Sequence, residues 1–156
     1  MKQRVYVETT IVNYLTARPS RDLILAAHQE VTRQWWERRS SFDLYVSQFV
    51  LDEAGDGDPA AAAERRKLLN GITNLPLTDE VRDVANSLLN AGILPRKAEA
   101  DAVHIAVATV YEMDVLLTWN CRHWANAMIL GGVGRHLRER DYEVPIICTP
   151  DELMGE

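Results

Sequence analysis

Short apolar runs alternate with longer, more polar segments along this chain. The apolar runs predict strands at 4–7, 44–47, 74–77, 115–118 and 145–148. The segments between them predict helices at 20–39, 49–54, 60–69, 78–90, 98–112 and 123–140, with a shorter helix after the first strand and a helical turn from Pro150. Strands that alternate with helices predict βαβ units, and therefore a mostly parallel sheet with helices on both faces.

Capping residues and helix breakers set the expected helix limits. Thr9 and Thr10 are expected to cap the short helix after the first strand. Ser47, at the end of the second strand, marks the start of the next helix. The Gly131-Gly132 pair predicts an interruption in the last long helix, because glycine is a poor helix former.

Four polar residues stand where a parallel α/β fold binds its ligands, which is beyond the carboxyl ends of the strands. Glu8 ends the first strand, and Glu53 lies on the helix that follows the second. Asp101 lies in the first turn of a long helix, and Asn120 comes two residues after the fourth strand. Oxygen ligands of this kind suit Mg²⁺, and carboxylates brought close together repel unless a cation compensates. The pattern predicts a divalent-metal site.

Each of these acids also has a simpler explanation. A carboxylate at a strand end often caps a helix, and Asp101 could complement the dipole of its own helix. Asp52 and Asp56 flank Glu53, so either could be the ligand in its place. For His104, three residues after Asp101, a packing role is favoured over a ligand role.

Other chemistries fit the sequence less well. Cys121 has no evident base and orienting partner, so a thiol nucleophile is rejected. His104 and His123 lack a third ligand at the spacing of a zinc site. The glycines at 131, 132 and 134 have neither a preceding strand nor the Lys-Ser/Thr of a phosphate loop.

Composition favours one cytoplasmic domain spanning residues 1–156. There is no apolar run of membrane-spanning length and no signal-peptide pattern, and the two cysteines suit a reducing compartment. The formal net charge of −6 argues against a tight, non-specific nucleic-acid binder. It argues less against an enzyme whose bound divalent cations meet the substrate.

Five segments in chain order resemble the PIN domain family, and within it the VapC-type toxins of type II toxin–antitoxin modules. These segments are 5–15, which reads VYVETTIVNYL; 47–54, which reads SQFVLDEA; 100–108, which reads ADAVHIAVA; 116–120, which reads LLTWN; and 146–153, which reads IICTPDEL. The resemblance covers nearly the whole chain, and its most specific parts are the third and fourth segments.

The resemblance implies a PIN-like three-layer α/β/α sandwich around a central, mostly parallel sheet of four to five strands. It also implies Mg²⁺- or Mn²⁺-dependent endoribonuclease activity on an RNA substrate, an antitoxin partner and a homodimer. Glu8, Glu53, Asp101 and Asn120 fall on the four acidic positions of the family. Glu8 and Asn120 depart from the usual Asp, so one firm metal site is expected from Glu8 and Asp101 with Glu53 nearby, together with a weaker second site.

Two functions follow as hypotheses. The first is a metal-dependent endoribonuclease, the toxin of a toxin–antitoxin pair, in which basic residues near the site hold RNA phosphates. These basic residues are Arg18, Arg21, Arg96, Lys97 and Arg122. The alternative is a catalytically degenerate PIN-like domain that binds protein or RNA, which the neutral Asn120 and the negative net charge favour.

Overall fold

The chain forms a parallel sheet flanked by helices. The computed structural model describes residues 1–120 and 127–155. The strands are β1 (Arg4–Val7), β2 (Asp43–Ser47), β3 (Thr73–Leu75), β4 (Val115–Leu117) and β5 (Ile146–Cys148). The helices are α1 (Thr9–Thr16), α2 (Leu23–Glu37), α3 (Gln48–Ala54), α4 (Pro59–Leu69), α5 (Asp79–Asn90), α6 (Glu99–Val110), α7 (Ala127–Glu139) and α8 (Pro150–Leu153). Short 3₁₀ helices span Arg39–Ser41 and Arg96–Ala98.

The sheet has the order β3-β2-β1-β4-β5, and every neighbouring pair is parallel. The chain moves outward from β1 to β3 and then crosses back to β4, so the strand order reverses between β1 and β4. Right-handed crossovers then place α1 to α4 on one face and α5 to α7 on the other. The helix contacts agree, since α1 packs on α2 and α4 while α5 packs on α6. The predicted parallel α/β architecture is confirmed.

The two central strands form the middle of the core. Val5, Tyr6 and Val7 of β1 and all three residues of β4 are buried. Continuous burial is the mark of a parallel strand covered on both faces. Helix α6 is buried along most of its length and packs against α5 and β4. Its alanines, which include Ala102 and Ala106, permit this close approach.

Two helix limits differ from the sequence expectation, and a third lies outside the described residues. Glu8, rather than Thr9 or Thr10, is the N-cap of α1, because its extended backbone lets its carboxylate accept a hydrogen bond from the Thr10 amide. Helix α2 begins at Leu23 with Asp22 as its cap, later than the predicted start at 20. The predicted start of the last long helix, at 123, lies outside the described residues.

The glycine pair at 131–132 does not interrupt helix α7. Glycine weakens a helix by only about 1 kcal/mol per residue, and packing on a core outweighs such a cost. Val133 and Leu137 of the same helix are buried and supply this packing.

Prolines shorten two of the predicted strands. Strand β3 ends at Leu75, directly before Pro76, and β5 begins at Ile146, directly after Pro145. Proline has no amide hydrogen to donate to a sheet ladder, so pairing stops beside it.

Among the described helices, none is long and apolar enough to cross a membrane.

Candidate metal centre at the carboxyl edge of the sheet

Glu8 lies at the point where the strand order reverses. It follows β1 directly, and its backbone amide donates a 3.1 Å hydrogen bond to the carbonyl of Leu117 at the end of β4. Ligands of open parallel sheets bind at such a reversal, beyond the carboxyl ends of the strands. The Glu8 side chain is nevertheless only 3% exposed, so its carboxylate needs partners inside the protein.

Three donors hold one oxygen of the Glu8 carboxylate. Oε1 accepts hydrogen bonds from the Thr10 amide at 3.0 Å, from the Thr118 hydroxyl at 2.8 Å and from the Thr10 hydroxyl. The Thr10 hydroxyl oxygen in turn accepts a hydrogen bond from the Trp119 amide, and the Thr118 hydroxyl oxygen accepts one from the Asn120 amide. The start of α1 and the end of β4 thus fix the carboxylate together.

Glu53 reaches the same place from helix α3. Its Oε1 accepts hydrogen bonds from the Thr9 hydroxyl at 2.6 Å and from Nε2 of His104 at 2.8 Å. Partial burial pushes the pKa of Glu53 upward, but the contact with His104 and the hydrogen bond from the Thr9 hydroxyl bring that pKa below its ordinary value. Glu53 is therefore held as a carboxylate.

A buried chain of hydrogen bonds orients His104. Its Nδ1 lies 2.7 Å from the hydroxyl of Tyr6, and that hydroxyl lies 2.8 Å from the Ser47 hydroxyl. Burial raises the pKa of Tyr6, so the phenol keeps its proton and can donate it to Nδ1. With Nδ1 accepting, Nε2 carries the hydrogen that Glu53 receives. The end of β2 and the middle of β1 thereby set the ring that positions Glu53.

Glu8, Glu53 and His104 form a compact group of potential metal ligands. One ligand atom from each lies within 4.8 Å of the other two. Within residues 1–120 and 127–155, neither Oε2 of Glu8 nor Oε2 of Glu53 accepts a hydrogen bond, and Oε2 of Glu8 lies 3.8 Å from His104 Nε2. Each carboxylate is anchored by one oxygen and leaves the other available to a cation.

Asp101 is on α6 but outside this group. It lies in the first turn, as predicted, three residues before His104 on the same helix. It is half-buried and makes no hydrogen bond or ion pair with any residue in the described parts of the chain. The structure thus brings two of the four predicted residues together, and the ligand role of Asp101 stays a prediction.

Asn120 is half-buried and is the last described residue before the gap at 121–126. Its backbone amide donates a 2.9 Å hydrogen bond to Thr118 Oγ1, and the Thr118 hydroxyl donates to Glu8 Oε1. Thr118 therefore links the Asn120 backbone to Glu8. Its side chain as a ligand stays a prediction. The alternative ligand Asp52 instead accepts a 2.9 Å hydrogen bond from Gln48, and neither Asp52 nor Asp56 belongs to the compact group.

The sequence favours a packing or structural role for His104, and the structure places its Nε2 2.8 Å from Glu53 Oε1 and 3.8 Å from Glu8 Oε2. One signal was present in the sequence. Residues three apart share a helix face, so Asp101 and His104 point from α6 in similar directions. The hydrogen bonds that give His104 this role come from Tyr6 and Glu53, at separations of 98 and 51 residues.

The predicted phosphate-binding residues have different surroundings. Arg18, Arg21 and Lys97 are exposed, while the Arg96 guanidinium donates a 2.9 Å hydrogen bond to Asn90. Cys121, Arg122 and His123 lie outside the described residues.

The chain folds like a chain of VapBC2. That structure is a crystal structure of VapBC2 from Rickettsia felis bound to a DNA fragment from their promoter, and the TM-score is 0.59. The likeness covers 94% of this chain and 98% of the other, at 11% sequence identity. No family profile matches this chain, and no curated protein matches it in sequence. The predicted fold class, a PIN-like α/β fold with helices on both sides of a parallel sheet, is confirmed.

Proposed function

We propose that this protein is a Mg²⁺- or Mn²⁺-dependent endoribonuclease, the toxin of a toxin–antitoxin pair. The observation that carries the proposal is the convergence of Glu8 and Glu53, from elements that follow different strands, with one available oxygen on each. The site lies at the edge of the sheet where parallel α/β folds bind ligands. The likeness to VapBC2 and the PIN-like segments of the sequence support the same reading.

The residues at this site fit a hard divalent cation. Mg²⁺ and Mn²⁺ prefer oxygen ligands, and Mg²⁺ is commonly held by one or two carboxylates while keeping several waters. Glu8 and Glu53 would hold the ion, with Asp101 contributing from the first turn of α6. When bound, such an ion supplies Lewis-acid stabilisation of the charge that develops on a phosphate during hydrolysis. His104 is assigned to positioning, since its Nε2 is already engaged with Glu53.

Local positive charge would offset the acidic balance of the chain. The exposed Arg18, Arg21 and Lys97 are assigned to RNA phosphates, which form charge-assisted hydrogen bonds with such side chains. Their number is small, so affinity for RNA is expected to be modest and to fall with added salt.

The test is cleavage of tRNA and of a structured RNA by the purified protein with Mn²⁺ or Mg²⁺, and again after chelation by EDTA. Glu8→Gln and Asp101→Ala, purified in the same way, control for contaminating ribonucleases. We expect cleavage that needs the metal and falls about 100-fold in Glu8→Gln. Equal cleavage by the wild type and both variants would contradict the proposed active site. Matched single-stranded RNA and DNA substrates then decide between ribonuclease and deoxyribonuclease activity.

Asn120 favours a second candidate function, a degenerate PIN-like domain that binds protein or RNA without cleaving it. A neutral amide at a position that is acidic in the family lowers the charge available to a second cation. Calorimetric titration with Mn²⁺ separates the two functions, because a binding module has no need of the ion. Saturable binding that is lost in Glu8→Gln supports the enzyme.

An antitoxin partner and a homodimer complete the proposal. Both come from the family resemblance, and the likeness to VapBC2 supports the first. Light scattering on the purified chain measures the oligomeric state. Co-purification with the product of an adjacent small gene tests for an antitoxin, and inhibition of RNA cleavage by that product is the expected result.

A further inference from the structure

A cavity of about 470 Å³ lies between α1 and the start of α2. Its walls are lined by Thr10, Asn13, Tyr14, Ala17, Arg18, Ser20, Leu25 and Gln29. The α1 residues among them recur at intervals of three and four, so they form one face of that helix. The volume lies within the range of small-molecule sites, about 300–1,000 Å³.

The cavity and the candidate metal centre share Thr10. Its hydroxyl donates to Oε1 of Glu8 and accepts the amide hydrogen of Trp119 at 3.0 Å, while the same residue lines the cavity. From Thr10 to Tyr14 the helix rises about 6 Å, at about 1.5 Å per residue. A group bound in the cavity would therefore contact a residue that also holds the Glu8 carboxylate.

A buried glutamine fixes the far wall of the cavity. Gln29 is 3% exposed, and its amide group spans the loop between α1 and α2. Its Oε1 accepts a 2.9 Å hydrogen bond from the Ser20 amide, and its Nε2 donates a 3.0 Å hydrogen bond to the Arg18 carbonyl. The loop that carries the Arg18 side chain is thus held against α2 before any ligand arrives.

Aromatic contacts fix the ring of Tyr14. It meets Trp119 edge-on at 5.6 Å and His28 edge-on at 6.3 Å, and these two rings are stacked at 4.2 Å. An aromatic ring held in place on a cavity wall offers a surface for a planar ligand at little cost in conformational entropy.

Two polar side chains in the cavity are available to a ligand. The Asn13 carboxamide and the Arg18 guanidinium are exposed and form no hydrogen bond or ion pair within residues 1–120 and 127–155. A carboxamide can both donate to and accept from the edge of a nucleobase. A guanidinium can stack on a base or hold a phosphate.

We propose that this cavity binds the base of an unpaired ribonucleotide adjacent to the phosphate held at the carboxylates. The inference rests on the proposed nuclease function, and it assigns the substrate as single-stranded RNA in which one base is turned out of the strand. Proteins that read single-stranded RNA in this way stack the base on an aromatic side chain and bond its edge. In this cavity Tyr14 supplies the ring and Asn13 contacts the base edge.

The test measures binding of the four ribonucleoside 5′-monophosphates and of ribose 5-phosphate, which lacks the base, to the ¹⁵N-labelled protein by NMR in EDTA. At least one nucleotide is expected to bind about tenfold more tightly than ribose 5-phosphate, because base stacking carries that share of affinity. The Asn13 side-chain amide signal should move as the nucleotide binds. Equal affinities for the nucleotides and for ribose 5-phosphate would overturn the inference.

Variants locate the binding. Asn13→Ala, at an exposed position, should reduce the preference among the four nucleotides, and Tyr14→Leu should remove most of the advantage over ribose 5-phosphate. Asn86→Ala is the matched control, because Asn86 lines a different cavity, between α5 and α6. Should Tyr14→Leu fail to fold, Asn13→Ala still decides. Nucleotide affinity that is unchanged in Asn13→Ala, with no movement of the Asn13 signal in the wild type, contradicts the assignment.

The outcome is separate from that of the nuclease proposal. The nucleotide measurement is made in EDTA and needs no metal. RNA cleavage by a protein that binds the nucleotides no more tightly than ribose 5-phosphate would refute only the base pocket. Base-dependent binding without metal-dependent cleavage would refute only the nuclease.

Discussion

Nε2 of His104 lies 2.8 Å from Oε1 of Glu53, which joins two residues 51 positions apart in the sequence. Because the other ring nitrogen is held by Tyr6, the imidazole presents a hydrogen to Glu53 in a fixed direction. The second oxygen of Glu53 accepts no hydrogen bond from the described residues. This relationship explains how a glutamate on a short helix is placed with the accuracy that a metal site needs.

Replacing Glu8 or Glu53 should weaken metal binding, whereas replacing Asp52 should leave metal binding unchanged. Glu8→Gln and Glu53→Gln are each expected to lower Mn²⁺ affinity at least tenfold, because each removes a charged ligand. Asp52→Asn is the control, since Asp52 is adjacent on α3 but bonds to Gln48. Calorimetric titration measures all three. A loss of affinity in Asp52→Asn, with Glu53→Gln unaffected, would move the ligand role to Asp52.

The Tyr6 hydroxyl should stabilise the fold through His104. Tyr6→Phe leaves Nδ1 of a buried histidine without its partner, which costs about 1–3 kcal/mol. Tyr142→Phe removes an exposed hydrogen bond to Glu80 and should change the free energy of unfolding by no more than about 0.5 kcal/mol. Urea unfolding of the two matched variants gives the comparison. Equal changes in the free energy of unfolding would show that the buried Tyr6–His104 hydrogen bond stabilises the fold no more than the exposed one.

Acid should destabilise the protein partly through Glu53. Its pKa is lower in the folded state than the ordinary 4.5, so between those two values the unfolded state binds more protons. The contribution to stability is fully present above the ordinary pKa and is lost as the pH falls through the folded-state pKa. Unfolding measured in metal-free buffer from about pH 6 down to pH 3 should show a shallower decline in Glu53→Gln than in the wild type. Parallel curves would contradict this.

Asp101 should matter to the ion and little to the fold. It has no partner among the described residues, so Asp101→Asn should change the stability of the metal-free protein by about 1 kcal/mol or less, the size of a helix-dipole effect. The same variant should lower Mn²⁺ affinity, since a carboxylate one turn before His104 can reach an ion beside it. A stability loss with unchanged Mn²⁺ affinity would show that Asp101 stabilises the first turn of α6 and does not bind the ion.

Restoring a carboxylate after β4 should strengthen the binding of divalent ions. Asn120→Asp adds a negative charge to a half-buried position whose backbone is already tied to Thr118. Ligand charge largely sets divalent affinity, so a second Mn²⁺ or a tighter first one is expected in calorimetric titration. Unchanged stoichiometry and affinity would show that this side chain does not face the ion.

Much of the fold was predictable because its signals are local. Short apolar runs such as Val5–Val7 predict strands covered on both faces, and the structure buries these residues. Their alternation with helices predicts a parallel sheet. Prolines and glycines were less informative: Pro76 ended a strand early, while the glycine pair at 131–132 was absorbed by packing. Whether a weak local preference prevails depends on contacts made elsewhere in the chain.

The sequence by itself determined which elements form, because the periodicity of helices and strands depends on near neighbours. It also determined that Glu8 and Glu53 follow strands whose carboxyl ends share one edge of the sheet. Tertiary structure decided the chemistry of the site. It brought His104 into hydrogen bonds with Glu53 and Tyr6 and anchored one oxygen of each glutamate. Among the described residues, it left Asp101 without a hydrogen bond or ion pair. Those outcomes depend on how α3 and α6 pack against the sheet and on side-chain torsions, which residue spacing does not encode.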